Sequence, residues 1–573
     1  MGGQPAESAA DQAAAHRSLL EKQAQMDKIK FEIPSESFGC FPAGKPVPLT
    51  VGVPPTVKLA SPLVVEVKIS GSDGKPGFAG EKSLALIGNE DASLRWEVPF
   101  PTTCGLYQMD VLLKDSTGAV IAKKNFPVAA TVPVAPMSER PASSPMAGHE
   151  ILSRHNEDLA IGGRTERIIP YVPKLPNGGP DLRDLDARVS KILSLGLDLM
   201  ICVGPYYAPG VAGSFDPAGF EAWVRPIIER YKGKVKYWEI INEPNAVGIT
   251  PPQYVAYLKS AHRVIREVDP ASKIVGLCGV SSYPEWTENV LAAGGGGLFD
   301  ILSFHNYIGS SPISGWKRDH KIERVRAVLA KHLGKEVPIW NSESGIEQPR
   351  RVRGRSLNDA ELLAKYPRGG QQAGITLVPA NAVTLATEHV GAVWQTQSIL
   401  LDCALGVERW FCLMGASNLY PSPPQFSGVP TEKGIAYAAL ASVLGPMKST
   451  RLVPMDSSTA AGVLVTSLDG RHTAALFADI PTTNSFSVKK NGIYHGMDFL
   501  GNPLKWEAKD KLLTVSFGAE PVYIFDVPDD LQPAPLLKVK SFPALLSPGA
   551  TAEGVVTLAN LFSSPMTAEL KIA

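Results

Sequence analysis

Two glutamates close apolar runs where a charged residue needs a reason. Glu243 ends the run in YWEIINEPN and Glu343 ends the run in IWNSESG. Two carboxyl groups held across a cleft can cleave an acetal. One, protonated, gives its proton to the departing oxygen, while the other, ionised, attacks the anomeric carbon or activates water against it. At about 5 to 5.5 Å between carboxyl groups the second acts as nucleophile and configuration is retained. The pair lies 100 residues apart (343 − 243). That is three units of about 33 residues, close to the roughly 31 per strand-helix unit of a 250-residue barrel.

The flanking text supplies such units. LDARVSKILSLG precedes LDLMICVGPYY, FEAWVRPIIERYKG precedes KVKYWEIINEPN, and PPQYVAYLKSAHRVIREVDP precedes SKIVGLCGV. YPEWTENVLAAGGGG then FDILSFHNY, IERVRAVLAKHLGKE then VPIWNSESG, and AVWQTQSILLDCALG then VERWFCLMG continue the pattern. The helices carry apolar residues at three-to-four spacing. The strands are nearly continuous apolar runs, as strands covered on both faces must be. With a first strand near SPMAGHE and a second near RTERIIP the count is eight, which predicts a (β/α)8 TIM barrel over residues 144–447. Glu243 and Glu343 then end strands four and seven, at the rim where such barrels place chemistry.

At 573 residues the chain is too long for a single core. Residues 29–135 alternate apolar and polar positions between SDGKPG and DSTG turns and read as a β-sandwich. Residues 136–143 read as a linker and 448–528 as a C-terminal β-sandwich. Residues 529–573 read as the start of a further sandwich that stops before closing, and residues 1–28 as a helical or frayed segment. Lys+Arg and Asp+Glu balance at 56 each, which argues against a nucleic-acid partner. No stretch reaches the roughly 20 apolar residues of a membrane span, and no signal peptide is visible at the start. The six cysteines show no metal-binding spacing. Cys202, Cys278 and Cys412 lie in apolar runs and read as buried inert thiols. A Cys40–Cys104 disulfide is left open.

The motifs together resemble glycoside hydrolase clan A, the retaining barrels with an acid/base after strand four and a nucleophile after strand seven. The likeness, strongest to family 39, covers residues 145–447. YWEIINEPN resembles the strand-four motif, which implies that Glu243 is the acid/base and that Asn242 binds the sugar 2-hydroxyl. IWNSESG resembles the strand-seven motif, which implies that Glu343 is the nucleophile. SFHNY is similar to the His-x-Tyr of strand six and implies that His305 and Tyr307 stand beside that nucleophile. The clan's strand-two Arg maps to Arg167, a substrate contact, while the Trp usual at the end of strand eight is replaced near Cys412.

Each residue also has a plainer reading. His305 fits a satisfied core histidine. Glu239, a layer deeper than Glu243, reads as a structural hydrogen-bonded acid. Tyr206 and Tyr207 after strand three, and Trp316 after strand six, fit either packing or stacking on a sugar. The insert after Glu343 gathers Arg350, Arg351, Arg353 and Arg355. It reads as a solvated loop or as an anion-recognising subsite for a uronate or sulfated sugar.

The reading is a retaining glycosidase acting on an oligo- or polysaccharide, anionic sugars included, by double displacement without metal or organic cofactor. The rivals are a carbohydrate-binding or scaffold protein on an inactive barrel, and a transglycosylase. Sugar identity, exo or endo action and oligomeric state are not legible. A secreted or cell-envelope location follows only from where polysaccharides lie.

Overall fold

The computed structural model describes residues 23–541 and 555–558, except 25, 58, 60–61, 73, 87–90, 151–154, 174, 176–178, 205–216, 282, 309–310, 346–382, 415–428, 456 and 535–536. Tyr206, Tyr207, Arg350 and the other arginines of the insert after Glu343 lie outside the described residues, as does most of 1–28.

The N-terminal region contains β1 (Lys30–Glu32), β2 (Cys40–Pro42), β3 (Val47–Val53), β4 (Leu63–Gly71), β5 (Pro76–Leu84), β6 (Ala92–Val98), β7 (Gly105–Lys114) and β8 (Val120–Thr131). They form a three-stranded sheet, β1-β3-β6, and a five-stranded one, β2-β8-β7-β4-β5. Period-two alternation turns one face of each inward. Val47, Leu49, Val51 and Val53 of β3 and Leu63, Val65, Val67 and Ile69 of β4 are buried in one cluster.

Strands and helices then alternate. The order is β9 (Met146–Glu150), α1 (His155–Ala160), β10 (Thr165–Ile168), α2 (Arg183–Ser194), β11 (Asp198–Val203), α3 (Pro217–Tyr231), β12 (Tyr237–Ile240), α4 (Pro251–Val268) and β13 (Lys273–Val280). It continues through α5 (Tyr283–Val290), β14 (Ile301–His305), α6 (Pro312–Asp319), α7 (Lys321–Leu333), β15 (Ile339–Ser344), α8 (Val383–Ala404), β16 (Val407–Met414) and α9 (Glu432–Leu444). Strands β9 to β16 pair in parallel, each with the next and β16 back to β9, to close a barrel. Helix α4 shows how the outer layer is specified. Thr250 and Gln253 form a reciprocal capping box with Pro in the first turn, and Tyr254, Val255, Leu258, Ala261 and Ile265 form its buried stripe.

Inside the barrel, Met200, Val275, Ile301, Trp340 and Phe411 make a small apolar layer. The buried Arg409 guanidinium stacks over Tyr237 and Trp340, 4.9 and 4.6 Å from the ring centres. Two residues further along their strands come Glu239 after Tyr237, Ser303 after Ile301 and Ser342 after Trp340. Side chains of one parity share a face, so the interior turns from apolar to polar one layer below the rim.

The C-terminal region holds β17 (Met447–Val453), β18 (Ala460–Ser467), β19 (His472–Ala478), β20 (Thr482–Ser487), β21 (Gly492–Met497), β22 (Pro503–Lys509), β23 (Leu512–Phe517) and β24 (Val522–Phe525). Hydrogen bonds link all eight into one sheet, ordered β17-β18-β19-β24-β21-β22-β23-β20. Leu464, Leu476, Phe486, Val515 and Ile524 share a core of its own. Val463, Val465, Phe477 and Tyr523 pack into the cluster that holds Leu400 of α8 and Leu440 of α9. The sheet thus braces the last two barrel helices. A separate antiparallel pair, β25 (Leu537–Ser541) and β26 (Val555–Leu558), follows.

Cys40 and Cys104 are not joined by a disulfide, and Cys202, Cys278, Cys403 and Cys412 are buried. Among the described residues no helix is long and apolar enough to cross a membrane.

Candidate active site

The chain leaves β12 through a strained turn. Ile241 and Glu243 have φ of 63° and 45°, left-handed values that no glycine relieves. Such residues cost about 1–3 kcal/mol each and persist only where their surroundings over-determine them. Here Ile241 N–H donates to Val203 O (2.9 Å) and Ala246 N–H to Glu243 O (2.9 Å). Asn245 ties the turn to the end of β13, donating to Val280 O (2.8 Å) and accepting from Val280 N–H (3.0 Å). Glu243 is held at the rim with its side chain 23% exposed.

Glu343 reaches the same place by a bulge. In the β14–β15 ladder Phe304 pairs Asn341 and His305 pairs Glu343, so Ser342 is an extra residue. Asn341 faces outward, its amide 3.2 Å from Asp402 of α8. Strict alternation would send Glu343 out with it. The bulge lets Ser342 and Glu343 both point inward. A carboxylate oxygen of Glu343, one of Glu243 and a ring nitrogen of His305 all lie within 4.8 Å of one another.

Arg167, fully buried on β10, organises the floor. Its Nη1 donates to Glu343 Oε2 (2.7 Å), its Nε to Glu239 Oε2 (2.8 Å) and its Nη2 to Glu239 Oε2 (2.5 Å) and Asn242 Oδ1 (2.7 Å). Ser303 Oγ–H donates to Glu239 Oε1 (2.9 Å). Burial works against a charged guanidinium, but Glu239 and Glu343 outweigh it and hold the Arg167 pKa well above its ordinary value. Burial pushes Glu239 up, and Arg167 pulls it below the usual carboxylate range. Glu239 is therefore the structural acid of the cluster, sharing one cation with Glu343.

The strand-six residues divide between the two rim carboxylates. Tyr307 donates its hydroxyl to Glu343 Oε1. Burial and then the Glu343 charge raise the phenol pKa above its ordinary value, so it remains a donor. His305 is fully buried, and its Nδ1 lies 2.8 Å from Glu243 Oε1. The ring thus hydrogen-bonds the strand-four glutamate rather than the strand-seven one, although its β14 register sets it opposite Glu343. On its other side Nε2 lies 3.3 Å from Cys278 Sγ. Trp316 sits on α6, with Nε1 donating to Glu323 (2.8 Å). With Tyr283, Tyr307 and Asp402 it lines a cavity of about 260 Å³ between α6, α7 and α8.

Two participants were not singled out from the sequence. Asn245 is visible in NEPN as the residue two beyond Glu243, but its bonds to strand five depend on the closed barrel. Cys278 reads as an inert thiol in an apolar strand, and only the three-dimensional neighbourhood brings it to His305.

No protein-family model matches the sequence, and no curated protein matches it. Among solved structures the fold is similar to that of a family 39 glycoside hydrolase from the gut symbiont Bacteroides cellulosilyticus. That chain is 15% identical, with a TM-score of 0.58 over 87% of this chain and 100% of that one. A family 39 enzyme from Xanthomonas axonopodis pv. citri matches at 14% identity and TM-score 0.44, over 69% of this chain and 97% of that one. The catalytic domain of a family 30 xylanase C from Talaromyces cellulolyticus matches at 11% and 0.40, over 69% and 94%. The first of these similarities shows a shared fold, and the strand-four, strand-six and strand-seven motifs resemble those of the same clan.

Proposed function

We propose that this protein is a retaining glycoside hydrolase cleaving O-glycosidic bonds of an oligo- or polysaccharide through a covalent glycosyl-enzyme intermediate. The observation that carries the reading is the proximity of the two rim carboxylates, with oxygens of Glu243 and Glu343 within 4.8 Å of each other. Inverting enzymes hold their carboxyl groups about 6.5–9.5 Å apart to admit a water, whereas retaining enzymes need about 5–5.5 Å.

The residues divide the work. Glu343, oriented by Arg167 and Tyr307, attacks the anomeric carbon while the bond to the leaving oxygen breaks. Glu243, exposed to the cleft and bonded to His305, gives that oxygen its proton. The roles then reverse: Glu243 takes a proton from water, whose oxygen attacks the anomeric carbon and releases Glu343. Asn242 has its Oδ1 engaged by Arg167, leaving its amide nitrogen to donate to a sugar 2-hydroxyl, a bond that strengthens at the oxocarbenium-like transition state. The β-regions at 29–135 and 448–528 act as supports or glycan-binding accessories. Arg350 and its neighbours are a reason to include uronic and sulfated glycans among the substrates tried.

The test is trapping. A glycan screen, acidic sugars included, identifies a hydrolysed glycoside. Its 2-deoxy-2-fluoro analogue is then expected to leave one sugar on Glu343, read by peptide mass mapping. Glu243→Gln is expected to lose turnover of poor leaving groups and regain it with azide on an activated one. A label elsewhere, or inversion of configuration in the product, sinks the mechanism. Binding of glycans without any turnover favours the scaffold reading.

A further inference from the structure

Strand five carries a distortion that the proposed chemistry does not by itself require. In the β13–β14 ladder Gly276 pairs Leu302 and Gly279 pairs Phe304, so Leu277 and Cys278 together oppose Ser303 alone. Both bulged residues are left-handed, with φ of 78° and 41°, and both are fully buried. Two adjacent non-glycine residues in that region cost about 1–3 kcal/mol each. The bulge is held from outside the barrel. Leu277 N–H donates to Tyr254 Oη (2.7 Å), Tyr254 Oη–H donates to Ile240 O (3.1 Å), and Trp286 Nε1–H donates to Leu277 O (2.9 Å). Bulges beside active sites re-aim side chains, and this one sends Cys278 Sγ to within 3.3 Å of His305 Nε2.

We propose that Cys278 is a positioning residue which sets the tautomer of His305 and, through it, the oxygen on which Glu243 carries its proton. The inference rests on the assignment of Glu243 as acid/base. The Cys278 sulfur lies 3.9 Å from Arg167 Nη2 and 3.3 Å from His305 Nε2. A thiol has one proton to give, and Nε2 is the acceptor within hydrogen-bond reach of it. A neutral imidazole has one N–H, so with Nε2 accepting, Nδ1–H points at Glu243 Oε1, 2.8 Å away. Oε1 is then an acceptor in both states of Glu243, and the transferable proton is confined to Oε2. Burial favours the thiol form of Cys278. The charged and titratable groups facing His305 are Glu243, Glu343, Glu239 and Cys278, with Arg167 behind them.

The experiment compares Cys278→Ala, which removes the donor, with Cys278→Ser, which keeps one. Histidine labelled with ¹⁵N in the full-length protein, with the His305 signals identified by their loss in His305→Gln, reports the tautomer without any substrate. Nδ1–H is expected in the wild type and in Cys278→Ser, and a tautomer mixture in Cys278→Ala. On glycosides with poor leaving groups kcat/KM is expected to fall roughly 10- to 100-fold in Cys278→Ala, part of the roughly 10²–10⁴ that positioned proton transfer contributes. The fall is expected to be under about threefold on an aryl glycoside whose leaving group needs no proton, and Cys278→Ser is expected to recover most of it. An unchanged His305 tautomer in Cys278→Ala overturns the proposal, as does an equal loss on both leaving-group classes. If fluoro-sugar trapping or azide rescue fails while the tautomer still shifts, the acid/base reading is what fails and the Cys278–His305 coupling stands.

Discussion

Replacing Arg167 with Met tests how the buried charges hold one another. The guanidinium is fully buried and serves Glu239, Glu343 and Asn242. Met keeps much of the aliphatic volume, so removal of the charge dominates the effect. Removing one partner of a buried ion pair costs about 3–5 kcal/mol, because the abandoned charge stays desolvated. For a cooperative unit of about 300 residues, an unfolding entropy of roughly 2.1 cal/mol/K per residue gives about 0.6 kcal/mol/K. The expected drop in thermal midpoint near neutral pH is therefore roughly 5–8 °C. Its pH dependence identifies the cause. In the wild type Arg167 outweighs burial and keeps Glu239 below the usual carboxylate range. That contribution is present above the unfolded carboxylate pKa of about 4.3 and lost as pH falls through the depressed folded value. In the variant burial acts on Glu239 without its cation and raises its pKa, so the variant loses stability as pH rises. The gap between the proteins should widen from about pH 5 to about pH 8, and adding Glu239→Gln to Arg167→Met should recover part of it. Scanning calorimetry across pH reads both. A drop that does not vary with pH, or a double variant no more stable than the single one, refutes the charge argument and leaves only packing.

Two further outcomes are expected. Tyr307→Phe removes one of the side chains that orient Glu343; at about 1.5–3 kcal/mol for a hydrogen bond to a charged group, kcat should fall roughly 10- to 100-fold with the circular dichroism unchanged. A loss under twofold would place Tyr307 outside the mechanism. Asp402, buried and accepting from Asn341 and Trp410, has its pKa pushed up to about 7 by burial, which outweighs those two bonds. Its favourable contribution is complete below the unfolded pKa of about 3.9 and lost as pH rises through about 7, a swing on the order of 4 kcal/mol. Asp402→Asn should therefore gain stability relative to the wild type between about pH 4 and about pH 8 in thermal melts, and a constant difference would contradict the burial argument.

The sequence by itself determined the order of strands and helices, because burial on both faces writes apolar runs and a helix writes its stripe within one segment. It also marked Glu243 and Glu343, since a carboxylate closing an apolar strand stands out locally, and their 100-residue spacing expressed a barrel repeat. His305 and Tyr307 were visible as a pair for the same reason. Their place beside Glu343 was expected, and Tyr307 does reach Glu343, but that His305 bonds Glu243 was not visible. Only the tertiary structure decided that Arg167 is shared between Glu239 and Glu343, because its three acceptors come from strands brought together by barrel closure. The same holds for the bulges at Ser342 and at Leu277–Cys278. A one-residue slip reverses which face a side chain takes, and nothing in VPIWNSESG or SKIVGLCGV records it, because a bulge is a relation between two strands. The physical reason is the range of the forces. Periodicity and capping act within a segment, whereas register, strain at Glu243 and Cys278, and the sharing of one buried cation exist only once distant strands have met.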